Sequence, residues 1–399
     1  SRSPLRGSFE GVSVTRVSEL EVEFKLENTY AFFEEDHLTS LLPIPKHLFF
    51  DLPITNYKLS PFGLVPVGSG PYMVDSHEKD AKGFIKSFRL KANKEYFDKA
   101  PHIATFIFKF YRKEQELISA YNLGQIDGFG LSTNEPLVEK SIIIRHQPHY
   151  LVSSRYYAIF INRSLAGEKL TSASVRRALS GAINRDELID RVFDGQGTPF
   201  FGPTALDTDP ATSFDLSLLD GLELNIVVPD EPFLVQTAEE VEKAWEVAGA
   251  NVNLIIRSLR DIQEDVLKNT NYELLLFGNI IKESNDLFAF WHSSKRFFPD
   301  QNLALYQDEV VDKMLEDYRT NFDPSTRQNI LERISGRISA EIPAIFLYSP
   351  NYTYISTPTL GGFDDLRKIN TSDDRFADIT DWFVKARRTF RTPIGEVEK

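Results

Sequence analysis

The chain has no cysteine, and only 2 methionines and 3 tryptophans among its 399 residues. Without a thiol there is no disulfide framework, no thiolate nucleophile and no cysteine-ligated metal site. That absence fits either redox compartment. No apolar run reaches the roughly 18 residues that a membrane-spanning helix needs. Positive charge is also scarce: 45 Lys and Arg stand against 58 Asp and Glu, for a formal charge of −13. Nucleic acid and anionic lipid are therefore not the expected main partners. Gly68-Ser69-Gly70 lies between strand segments with no helix behind it, so a tight turn is expected there rather than a dinucleotide fingerprint. No G-x-x-x-x-G-K-[ST] and no G-x-S-x-G elbow occur. His146 and His149 stand at i, i+3 beside Pro148, but no carboxylate cluster completes a metal site. Nothing sets a nucleophile, a base and oxyanion donors together. No catalysis, cofactor or metal is expected.

What is present describes a globular chain long enough for two or three domains: 42% hydrophobic residues, with 31 Phe and 15 Tyr. Residues 12–26 alternate like strands around Val22, Phe24 and Leu26, and Glu34, Glu35 and Asp36 read as a solvated turn. Residues 41–63 are Pro-rich and irregular. A β-rich stretch follows over 65–74, 84–90 and 103–110, then a helix over 114–123 ending at Gly124. From Leu222 the order becomes strand, helix, strand: 222–228, a helix capped by Thr237 and closed by Gly249, 252–256, a helix near 261–268, and the apolar strand 272–277. Short links between such elements imply a parallel sheet covered on both faces. Helices over 308–318 and 325–340 precede a last buried strand, 344–348. The tail is loop-rich, with an aromatic helix over 376–384.

Residues 157–199 carry the most information. A strand with Phe160 and Asn162 leads into Val175, Ala178, Leu179, Ala182 and Ile183, spaced i, i+3, i+4, i+7, i+8 on one helix face. Asn184 and Glu187 have the N-x-x-E spacing that caps a second helix, stopped at Gly195.

The wording of that stretch, Y-A-I-F-I-N then V-R-R-A-L-S-G-A-I-N-R and G-Q-G-T-P, resembles the peptide and nickel branch (family 5) of the extracytoplasmic solute-binding proteins of ABC importers. Pro66-Val67-Gly68-Ser69-Gly70-Pro71-Tyr72, residues 93–100, Leu123-Gly124-Gln125-Ile126-Asp127, residues 245–252 and Glu341-Ile342-Pro343 are similar to further family segments, in the right order. The resemblance spans roughly residues 12–390. It implies an α/β, two-lobed periplasmic-binding-protein fold of type II, cluster C-like, with lobe one incomplete because the family's opening region has no counterpart here. It divides the chain into a small-subdomain remnant (1–60), a discontinuous lobe one (61–154 and 351–399) and lobe two (155–350). The hinge is expected near Arg155 and Pro350.

The resemblance further implies capture of an oligopeptide between the lobes by hinge closure and delivery to an ABC permease in the membrane. The protein is expected to be a monomer outside the cytoplasm, held to the membrane through a segment upstream of Ser1. By the same resemblance the ligand contacts Phe277, Gly278, Asn279, Ile280, Glu283, Asp286, Trp291 and His292, at the C-terminal edge of a parallel sheet, where open α/β sheets place ligands. Peptide-binding members set an Asp here for the ligand's α-ammonium. Counting from Gly278 that position is Lys282; counting back from Phe290-Trp291 it is Glu283, and Asp286 is a third candidate. A cleft-facing Lys282 would instead favour an anionic ligand. Trp291 is open between core and ligand stacking, and Asn302 is expected to brace a loop. Two other functions stay open: a carrier of a nickel chelate or other small solute, motivated by His292, and a sensor or structural lipoprotein whose cleft has decayed.

Overall fold

The computed structural model describes residues 9–53, 56, 60–131, 141–205, 207–208, 213–364 and 367–385. The outer ends of the expected subdomain remnant and lobe one, residues 1–8 and 386–399, lie outside the described residues. From the N-terminus, β1 (Val12–Arg16) and β2 (Val22–Leu26) pair as an antiparallel hairpin. Three antiparallel strands follow: β3 (Tyr72–Lys79), β4 (Ile85–Ala92) and β5 (Thr105–Lys109). The first of these starts at Tyr72 rather than at Val65, just beyond Pro71. Next come α1 (Glu114–Asn122), β6 (Gly128–Gly130) and β7 (Gln147–Ser153).

The second half begins one residue later with β8 (Arg155–Ile161), then α2 (Ala173–Gly181), α3 (Arg185–Phe193) and β9 (Gly197–Pro199). Asn184 caps α3 as expected, accepting from the Glu187 amide at 3.2 Å. It continues with β10 (Glu223–Pro229), α4 (Pro232–Val247), β11 (Asn251–Arg257) and β12 (Leu274–Ile280). Helices α5 (Phe288–Trp291), α6 (Glu309–Thr320) and α7 (Pro324–Glu341) lead to β13 (Ala344–Ser356), and β14 (Lys368–Ile369) follows.

Period-two alternation with both sides apolar dictates the second half. Along β8, Tyr157, Ile159 and Ile161 enter one core and Tyr156, Ala158 and Phe160 the other. Leu274 and Leu276 against Leu275 repeat this on β12, and Ile226 and Val228 against Val227 on β10. Such strands need helices on both faces. One layer holds α2, α3 and α4, pinned where the Trp245 indole donates to the Leu179 carbonyl at 2.9 Å. The other holds α5, α6 and α7.

The strand order is β11-β10-β12-β8-β13-β7-β14. β10, β11 and β12 run parallel, as expected, but β8 lies antiparallel to β12 and to β13, so the sheet is mixed. β13 spans both halves: residues 344–348 pair with β8 and 348–350 with β9, whereas 351–356 pair with β7. The strand read from sequence was only its first part.

Two other expectations change. Thr237 does not cap α4 but lies inside it, because Pro232 occupies the first turn, where its missing N–H costs nothing. The Thr237 hydroxyl meets the Phe233 carbonyl at 2.7 Å and the Tyr348 hydroxyl at 2.6 Å. Residues 376–384 are not a helix. A 3₁₀ turn, Ser372–Phe376, ends there, and Phe376 and Trp382 pack with Tyr354 and Phe363 in a separate aromatic core.

Candidate ligand-binding site

The C-terminal end of β12 lies at the seam between the halves. Its last residue, Ile280, is opposite Arg155, the first residue of β8, and the Ile281 amide donates to the Ser154 carbonyl at 3.0 Å. The second passage of the chain lies beside the first: Ser349 Oγ donates to the Ser153 carbonyl at 2.9 Å. The four sequence-predicted residues Phe277, Gly278, Asn279 and Ile280 therefore stand where the chain crosses.

One edge of β12 is open there. β8 pairs with it along its whole length, but β10 pairs only at Leu274 and Leu275 before continuing beside β11. The Glu273 carbonyl and the Ile281 amide both turn towards the β8 side. Alternation then directs the N–H and C=O groups of Gly278 and Ile280 to the opposite edge. Among the described residues no strand pairs with that stretch. An unpaired strand edge is a template for an extended chain.

Local sequence explains the shape. A Cβ on Gly278 would lie 2.7 Å from the Tyr157 ring and 3.1 Å from the Tyr156 carbonyl oxygen, so only glycine fits. Asn279 is buried and its amide donates to the Tyr156 hydroxyl at 3.3 Å, a brace rather than a free contact. Phe277 is half-buried against the α5–α7 core.

The loop beyond β12 is committed to the chain itself. Asp286 accepts from the Phe288 amide (3.1 Å) and the Tyr30 hydroxyl (3.0 Å) and pairs with Arg319 Nε at 3.1 Å. Ser284 Oγ donates to Asp36 at 2.9 Å, and Lys282 Nζ donates to the Asp36 carbonyl at 3.2 Å. The one Tyr30 hydroxyl hydrogen is shared between the two carboxylates, with Asp36 the nearer acceptor at 2.6 Å. Burial and the adjacent Asp286 push the Tyr30 phenol far above its ordinary value, which keeps it a donor. Asp36 is thus no solvated turn acid; it is 8% exposed. Glu283 is the exposed carboxylate of the loop, and its side chain has no partner among the described residues.

The remaining two residues stand apart. Trp291 has no exposed surface and packs edge-on to Tyr306 at 5.9 Å, so it belongs to the core and presents nothing to a ligand. His292 stacks on Phe288 at 4.1 Å, takes the Ser294 amide on Nδ1, and holds Nε2 3.7 Å from Glu316. Asn302 braces its loop, bonded to the His292 and Tyr306 carbonyls and the Tyr306 amide. His149 is buried, 2.8 Å from Ser356 Oγ. Among the described residues no group of three or more His, Cys, Asp or Glu could hold a metal. None of their helices is long and apolar enough to cross a membrane. Sequence reasoning missed Tyr30 and Arg319, whose partners lie some 250 and 30 residues away with no periodic signal to link them.

A sequence model described as "Bacterial extracellular solute-binding proteins, family 5 Middle" matches residues 1–297. The oligopeptide-binding protein AppA of Bacillus subtilis is 23% identical over 394 residues, covering 88% of this chain and 69% of the relative. Among solved structures, the ABC transporter substrate-binding protein CtaP of Listeria monocytogenes superposes with a TM-score of 0.79 at 20% identity, over 96% of this chain and 80% of that one. The AppA complex with a nonapeptide gives 0.66 at 22% identity, over 95% and 79%. The architecture is that of the two-lobed periplasmic binding proteins.

Proposed function

Because the chain belongs to the bacterial extracellular solute-binding proteins, family 5, we propose that it captures an extended oligopeptide outside the cytoplasm and hands it to an ABC permease. The observation that carries this reading is the open edge of β12 at the seam. Main-chain hydrogen bonds from Gly278 and Ile280 ignore side-chain identity, as a carrier of mixed peptides requires. Each nets only about 0.5–1.5 kcal/mol. Affinity therefore needs several such bonds plus a charge-assisted one, and exposed Glu283 is suited to the ligand's α-ammonium.

In this reading residues 61–154 and 351–399 form lobe one and residues 155–350 lobe two. The adjacent crossings at Ser154 and Pro350 serve as the hinge. A peptide touching both lobes binds the closed form more tightly, and that difference drives closure. The protein works as a monomer and performs no chemistry on its cargo. That AppA is an oligopeptide-binding protein, with the same fold and a nonapeptide in its structure, supports the choice of ligand.

Calorimetric titration with a random hexapeptide pool tests it. Saturable heat is expected from the pool and none from a sugar, a nickel–histidine chelate or inorganic phosphate. Silence with peptides and a response to one of the others overturns the reading.

A further inference from the structure

The chain passes between the halves at Ser154 and at Pro350, but a third connection exists just beyond the end of β12. Phe32 is 2% exposed and sits inside the α5–α7 core, 5.2 Å from the Tyr318 ring, with Arg327 4.7 Å from its face. The Ala31 amide donates to the Arg319 carbonyl at 2.7 Å. The Arg319 guanidinium is sandwiched between the Tyr30 and Phe288 rings, at 4.7 and 4.4 Å. The Tyr30 hydroxyl lies between Asp36 and Asp286, Ser284 Oγ donates to the same Asp36 carboxylate oxygen, and Lys282 donates to the Asp36 backbone carbonyl. His37 stacks on Tyr30 at 5.0 Å, and the β1–β2 hairpin follows through Phe24, 5.8 Å from Phe33. After this, residues 41–67 lead the chain to β3 in the other half.

We propose that residues 30–37 are a clasp: they move as part of the half that contains β12, although the chain that follows them goes on to β3 in the other half. Two kinds of force support this. Phe32 fills a core site whose vacancy costs several hydrophobic contacts. The Tyr30–Asp36–Asp286–Arg319 group is partly desolvated, where paired charges hold more firmly than at the surface. Opening of the lobes then leaves the clasp in place. The clasp also closes over the loop beyond β12, so Lys282, Ser284 and Asp286 serve the clasp and Glu283 is left for ligand. This rests on the two-lobed carrier reading only in supposing that the lobes move.

The absence of cysteine makes a distance measurement clean. Spin labels on Glu35→Cys with Lys313→Cys report the clasp against α6, and labels on Lys86→Cys with Lys313→Cys report one half against the other. A single narrow 35–313 distribution is expected. It should at least double in width with Tyr30→Phe plus Phe32→Ala, and broaden measurably with Tyr30→Phe alone, which leaves the core filled. A broad 35–313 distribution in the parent, or a narrow one unaltered by these changes, overturns the clasp. The 86–313 pair is read separately: failure to shift with the hexapeptide pool would count against hinge closure and leave the clasp standing.

Discussion

The Tyr157 ring lies directly over Gly278, closing the space where any larger residue's Cβ would stand. The two residues are opposite each other on β8 and β12, next to the seam. Gly278→Ala must push the ring or the strand aside, and overpacking of this kind costs about 1–3 kcal/mol. Urea unfolding should show that loss. Combining it with Tyr157→Leu should cost less than the sum of the two single changes.

The arginine pair in the V-R-R-A stretch should divide sharply. Arg176 is 2% exposed and donates only to carbonyls, those of Leu170, Thr171, Glu341 and Ile342. It ties α2 to the end of α7. Arg176→Met leaves those carbonyls without a donor, at about 1–3 kcal/mol for each one that water cannot reach. Thermal unfolding should register a large drop, whereas Arg177→Ala should stay within about 0.5 kcal/mol of the parent.

The loop acids should separate in the same manner. Asp286 is 13% exposed and has three internal partners, so Asp286→Ala should cost about 2–3 kcal/mol of stability. Glu283→Ala should leave stability unchanged within about 0.5 kcal/mol. Titration with peptides should show the reverse order: weakened binding for Glu283→Ala, and only an indirect effect for Asp286→Ala. Equal affinity of Glu283→Ala and parent would remove Glu283 from the site.

Asp308 provides a pH test. It caps α6, accepting from the Val310 and Val311 amides at 2.8 and 3.1 Å, and pairs with Arg337. Burial pushes its carboxyl up, but Arg337 and the two amides outweigh that and hold it below the usual carboxylate value. A depressed folded value stabilises the fold above the unfolded value, near 3.9, and that contribution fades as pH falls through the folded one. Asp308→Ala should therefore cost about 1–2 kcal/mol at neutral pH and clearly less near pH 2.5. A penalty that does not change with pH would mean that the charge contributes nothing.

The strands 272–277 and 222–228 were legible in the sequence because apolar residues dominate both, but the antiparallel place of β8 and the second half of β13 were not. The cap at Asn184 was legible because its signal is four residues long. Thr237 misled because a good N-cap residue type also serves in a helix interior, where its hydroxyl bonds the carbonyl four residues back. Phe376 to Val384 misled because aromatic spacing cannot separate a helix from a cluster assembled by distant partners. At the site, Gly278 was legible through resemblance to the family, but the roles of Asp36 and Asp286 were not. Those depend on Tyr30 and Arg319, which the fold alone brings together.

The most direct test is amide exchange at Gly278 and Ile280, with and without the hexapeptide pool. Binding should slow both amides strongly, and peptides N-methylated along the backbone should fail to do so. Saturable peptide binding that leaves both amides exchanging at their free rates would contradict a main-chain grip at the open edge of β12.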